Sequence, residues 1–121
     1  LNAGSQTFDR NEALRNVGGS DAILAEMVEL FATECPKQMS DIEAAYGSGN
    51  HEAVMRAAHT LKGSASLLAA KAATVAARRI EIMGRDNTLD EFPAAWAELQ
   101  RHISELLQTL RGTSRPASSA S

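Results

Sequence analysis

The sequence predicts an all-α protein, an antiparallel up-and-down four-helix bundle with a short additional N-terminal helix. Three observations carry that prediction. Apolar residues recur at steps of three and four along each long segment, the stripe an amphipathic helix lays against a core. Alanine is abundant, while aromatics make up only 4% of the 121 residues and prolines number three, a composition that favours helices. The connections are only a few residues long, and short connections between long helices make antiparallel neighbours.

Five helical segments follow in order. The first opens at Phe8 and Asp9, with Asp9 as N-cap and Glu12 three residues on in capping-box fashion, and ends at Gly18-Gly19. Ser20 and Asp21 start a long helix reaching about Tyr46, with Leu24, Val28, Phe31, Cys35, Met39 and Ile42 inward. Pro36 lies inside it and is expected to remove one backbone hydrogen bond and bend it. Gly47-Ser48-Gly49 closes that helix, and Asn50 caps the third, in which Val54, Ala58, Leu61, Ala65 and Leu68 form the apolar stripe. A fourth segment, about 71–83, is alanine-rich on several faces, which lets backbones approach closely, and is expected to stop near Gly84. Thr88 and Glu91 form a second capping-box pattern, with Pro93 blurring the start of the last helix. There Phe92, Trp96, Leu99, Ile103, Leu106 and Leu110 keep the 4-3-4-3-4 rhythm. The domain is assigned to residues 8–111, preceded by a flexible segment 1–7 and followed by a polar, disordered tail 112–121.

Charge and composition exclude several functions. A net charge of −3 without a basic patch argues against nucleic acid as the main partner. The single cysteine, Cys35, cannot form an internal disulfide, and its place on an apolar stripe makes it a buried structural thiol. No apolar run approaches a membrane span, and no glycine-rich phosphate loop supports nucleotide binding. No cysteine, histidine and carboxylate cluster has metal-ligand spacing. His51 and His102 lack matching neighbours and read as surface residues. Asp41 with Glu43, and Glu26 with Glu29, read as solvated faces.

One run does carry chemistry: Ala58-His59-Thr60-Leu61-Lys62-Gly63-Ser64. At about 100° per residue, His59 lies about 200° from Leu61 and points away from the core stripe. Met55, Arg56, Lys62, Gly63 and Ser66 share its face. Glycine in mid-helix costs about 1 kcal/mol relative to alanine, and in a helix otherwise full of alanine the compensation is access to the ring. A neutral imidazole with an unperturbed pKa of about 6.5 is a good nucleophile near neutral pH. It can take a phosphoryl group from a partner and pass it on, splitting one transfer into two easier steps. Lys62, and with longer reach Arg56, are placed to offset the phosphoryl charge. If the chain reverses near Ala70, Glu81 stands as far past the turn as His59 stands before it. Glu81 then either orients the imidazole, fixing its tautomer, or pairs with Lys62, or is solvated surface.

The stretch AHTLKGSASLLAA, Ala58 onward, resembles the motif of histidine-containing phosphotransfer (HPt) domains, a His-x-Leu-Lys-Gly core followed by small residues. The resemblance extends over residues 8–110 in helix order and lengths, including Ile80-Glu81 and Gly84-Arg85-Asp86. It implies His59 as the phosphorylated residue, Lys62 as the phosphate-stabilising cation, Gly63 as the access position and a polar side chain at Glu81. Two positions depart from the pattern: Leu67 stands where the family often has asparagine, and Ala69 where it often has glycine.

The resemblance further implies a phosphocarrier without ATP-dependent kinase activity of its own, which accepts a phosphoryl group from a receiver-domain aspartate onto His59 and passes it to another. Met55, Arg56 and Ser66 would contact the partner, together with the flanking helix 20–46. No cofactor is expected, the receiver supplying Mg²⁺. The chain's non-methionine start and its tail favour the C-terminal module of a larger, membrane-bound sensor kinase, itself cytoplasmic and monomeric when isolated. The competing readings are a helical adaptor whose His59 face binds without being phosphorylated, and a hydrolase using His59 as general base. The latter needs an acid or a substrate pocket that the sequence does not display.

Overall fold

The computed structural model describes residues 8–114. It contains α1 (Arg10–Asn16), α2 (Asp21–Gly47), α3 (His51–Leu67), α4 (Lys71–Arg85), a 3₁₀ turn (Leu89–Glu91) and α5 (Phe92–Ser114). No strand occurs among the described residues. The last helix runs three residues beyond the sequence-based boundary at Arg111: an exposed helix end tolerates Gly112 at a cost of about 1 kcal/mol. The segments expected to be flexible, 1–7 and the rest of the tail from 115, lie outside the described residues.

Capping chemistry fixes the helix starts. Asp9, Ser20 and Asn50 each accept a hydrogen bond from the backbone N–H three residues on, at Glu12, Ile23 and Ala53. All four helix-to-helix connections close in one way, with a left-handed residue just past the helix and the following N–H reaching back to the last turn. The left-handed residues are Gly18, Gly49, Ala69 and Asn87, and the closing bonds are Gly19 to Leu14, Asn50 to Ala45, Ala70 to Ala65 and Thr88 to Met83. One sequence expectation is met and one is corrected here. α4 ends at Arg85, one residue past Gly84, with Asn87 taking the left-handed position beyond it. The Thr88 side chain makes no capping bond, because a 3₁₀ turn precedes α5 and Phe92-Pro93 opens that helix, where the missing proline N–H has no intrahelical partner to lose.

The sequential helices pack in a closed ring, α2 on α3, α3 on α4, α4 on α5 and α5 back on α2. The predicted core positions are buried, with Met39 and Trp96 half-buried at its margin. At one end Tyr46 stacks on Phe92 with ring centroids 3.9 Å apart, tying the end of α2 to the start of α5. At the other end α1 covers the α3–α4 turn. Asn16 donates to the Leu67 carbonyl at 2.9 Å and the Asp9 N–H to the Ala69 carbonyl at 3.3 Å. Carbonyls left over at the end of α3 thus find donors, and Leu68, Ala69 and Ala70 are buried beneath the short helix. Ala69 occupies the left-handed conformation with φ of 56°, which explains why glycine suits this place. Cys35 is buried, and burial pushes its thiol up to about 11.

α3 and α4 come into backbone contact at Gly84, where α4 has no side chain. A Cβ on Gly84 would stand 2.7 Å from the Met55 nitrogen and 2.8 Å from the His51 carbonyl oxygen. Gly84 is therefore the contact point of two backbones. It sets the distance across which the side chains one turn away must meet.

Candidate phosphoryl-transfer site

His59 projects from the middle of α3, and its side chain is 65% exposed. The antiparallel register set at Gly84 puts Glu81, one turn earlier on α4, opposite it. The Nδ1 atom of His59 lies 2.8 Å from Oε2 of Glu81. The other carboxylate oxygen, Oε1, lies 2.8 Å from the Lys62 ammonium. Two of the three readings of Glu81 left open by the sequence therefore hold together: one carboxylate bridges imidazole and lysine.

The electrostatics of the bridge are directional. Glu81 is only 15% exposed. Burial alone would raise its pKa, but the hydrogen bonds and charges of Lys62 and His59 outweigh it and hold the carboxyl below its ordinary value. Glu81 is thus ionised near neutrality and can only accept. The proton of the neutral ring must then sit on Nδ1, and Nε2 keeps its lone pair.

Around the exposed ring a concavity of about 470 Å³ is lined by Met55, Arg56, His59, Thr60 and Glu81. Gly63 is open, since a Cβ there would meet nothing within 4 Å. The fold makes no demand for glycine at this place. Lys62, 26% exposed, is turned to Glu81 and stands outside the lining. Ser66 is exposed two turns beyond His59 and does not line the concavity either. His51 begins α3, with its carbonyl packed toward Gly84. His102 departs from the surface reading: it is half-buried, 3.8 Å from Glu105, in a separate groove between α4 and α5. Among the described residues no group of three or more His, Cys, Asp or Glu side chains is arranged to hold a metal.

The model of the Hpt domain family matches residues 26–111 of the chain. The chain belongs to the Hpt domain family. As such it is a histidine phosphotransfer module of phosphorelays. Solved structures share the fold. The chain is similar to histidine-containing phosphotransfer protein B from Pseudomonas aeruginosa PAO1, with a TM-score of 0.84 and 16% identity over 91% of this chain and 96% of that one. It is also similar to the HPT domain of an Hpt sensor hybrid histidine kinase from Shewanella, with a TM-score of 0.79 and 15% identity over 89% of this chain and 93% of that one. No curated protein matches the chain. No helix among the described residues is long and apolar enough to cross a membrane.

Within this Hpt domain Met55, Arg56 and Glu81 stand at the ring of His59, and Ser66 stands apart from it. Lys62 is engaged with a carboxylate rather than free over the ring. Sequence reasoning missed Gly84. The signal was present in the alanine-rich faces of α4, of which Gly84 is the extreme member.

Proposed function

We propose that His59 is the phosphoryl carrier of this Hpt domain, taking the group on Nε2 from the aspartyl phosphate of a receiver domain and returning it to another receiver aspartate. The observation that carries this reading is the 2.8 Å contact of Nδ1 with Glu81 on a ring whose remaining edge is exposed. The Nε2 lone pair attacks phosphorus in line, the N–P bond forms and the P–O bond to the aspartate breaks. The carboxylate leaves with its electron pair. No proton needs to move: the Nδ1 proton stays on the ring, and the positive charge the ring gains is met by Glu81 across the same hydrogen bond.

Lys62 holds the other oxygen of Glu81 and keeps that carboxylate ionised, adding positive charge beside the site. Gly63 leaves the approach open. The receiver brings its own Mg²⁺ to shield the acyl-phosphate charge. Met55 and Arg56 border the ring and meet the partner first, with Ser66 farther along the same face. The hybrid-kinase origin of the Shewanella relative supports placing this domain in a larger cytoplasmic sensor-kinase assembly.

The test is incubation with a receiver domain phosphorylated by acetyl phosphate. The expected result is acid-labile, base-stable label on the wild-type domain and none on His59→Gln. Binding without label would leave an adaptor. Free phosphate released with no labelled intermediate would indicate a hydrolase.

A further inference from the structure

Two cations flank His59 on α3, and they stand in different situations. Lys62 is committed, with its ammonium 2.8 Å from a half-buried carboxylate, and it stands outside the lining of the concavity at the ring. Arg56 is 68% exposed, lines the concavity at the ring, and has as its ion-pair partner Glu52 at 3.8 Å, one turn earlier. An exposed pair of that kind is weak and readily exchanged. Arg56 lies three residues before His59 on the same helix face and lines the same concavity. A guanidinium also matches two phosphoryl oxygens with parallel donors, which an ammonium cannot do.

We infer that Arg56, rather than Lys62, grips the phosphoryl group on His59, while Lys62 is a positioning residue that acts through Glu81. The inference rests on the reading of His59 as carrier. As the N–P bond forms, the guanidinium leaves Glu52 and donates to two of the three phosphoryl oxygens. Glu52 is released to water, and no proton changes hands.

Potassium phosphoramidate, a small donor that needs no docking surface, isolates this step. Labelling of the domain is followed by ³¹P NMR, and the ring nitrogens of His59 by ¹⁵N NMR. Arg56→Gln should slow labelling about tenfold with the ring nitrogens of the unphosphorylated domain unchanged, and Arg56→Lys should recover part of the rate. Lys62→Met should slow labelling while the ring proton redistributes from Nδ1 toward Nε2. A wild-type rate in Arg56→Gln would overturn the inference, as would a slowed Lys62→Met with unaltered ring nitrogens, which would give the phosphoryl contact to Lys62. Absence of label on wild-type His59 from both phosphoramidate and phosphorylated receiver would overturn the carrier reading itself.

Discussion

Gly84→Ala is expected to damage transfer more than it damages the fold. Alanine is the better helix former by about 1 kcal/mol, so on local grounds the variant gains stability. The structure reverses that expectation. The new Cβ would lie 2.7, 2.8 and 3.0 Å from the nitrogen of Met55, the carbonyl oxygen of His51 and the Cα of Met55, all main-chain atoms of α3 that cannot rotate aside. Ordinary contact begins near 3.4 Å, so α3 and α4 must part by about 0.7 Å at this level. Overpacking of this kind costs about 1–3 kcal/mol, which leaves a net destabilisation of about 0–2 kcal/mol after the propensity gain. The catalytic consequence is sharper. Glu81 lies one turn from Gly84, and the same parting stretches its 2.8 Å bond to His59 to about 3.5 Å, beyond a useful hydrogen bond. Urea melts paired with labelling by a phosphorylated receiver measure both effects on one preparation. The expected result is a modest fall in stability with labelling slowed about tenfold or more. A variant that is more stable than wild type and labels at the wild-type rate would refute the reasoning that Gly84 sets the site's spacing.

Gly63→Ala should do the opposite to stability: with nothing within 4 Å of the new Cβ, the domain gains about 1 kcal/mol in a thermal melt while labelling by a receiver falls, and a loss of stability would contradict the open approach. The Glu81 carboxyl is held below its ordinary value in the folded domain, so its stabilisation is present above the unfolded pKa of about 4.3 and is lost as pH falls through the lower folded value. Urea melts of wild type and Glu81→Gln should therefore differ by about 1–2 kcal/mol near neutrality and converge in acid; curves that stay parallel down to pH 3 would remove the bridge. Cys35, pushed up to about 11 by burial, should resist a thiol reagent at pH 8 until urea unfolds the chain, and the stability it gives as a neutral thiol is lost only as pH rises above about 8.5 toward that value. Rapid stoichiometric modification of the native domain would contradict its place in the core.

The helical periods of α2, α3 and α5 were legible because each apolar stripe answers a single demand, burial on one side. The site was legible for a related reason: His59 falls opposite the stripe, and counting outward from the turn at Ala70 pairs it with Glu81. The features that eluded the sequence are those in which one residue type serves two ends. A glycine near the end of a helical pattern reads as a stop, yet Gly84 serves close approach and Asn87 takes the left-handed stop. Thr88 and Glu91 have capping-box spacing, but Pro93 and the 3₁₀ turn displace the start of α5 and leave the threonine without its bond. The departure at Ala69 becomes intelligible only in three dimensions. The left-handed alanine sits in a turn buried under α1, whose Asp9 N–H bonds its carbonyl. The division of labour between Lys62 and Arg56 depends on which cation Glu81 captures, and spacing along one helix carries no information about a carboxylate on the next.

The most direct measurement is heteronuclear NMR of His59 in the phosphorylated domain, reading which ring nitrogen couples to phosphorus and which carries the proton. The structure predicts phosphorus on Nε2 and a proton held on Nδ1 against Glu81. Phosphorus on Nδ1, or a phosphorylated domain whose His59 ring shows no coupling to phosphorus, would contradict it.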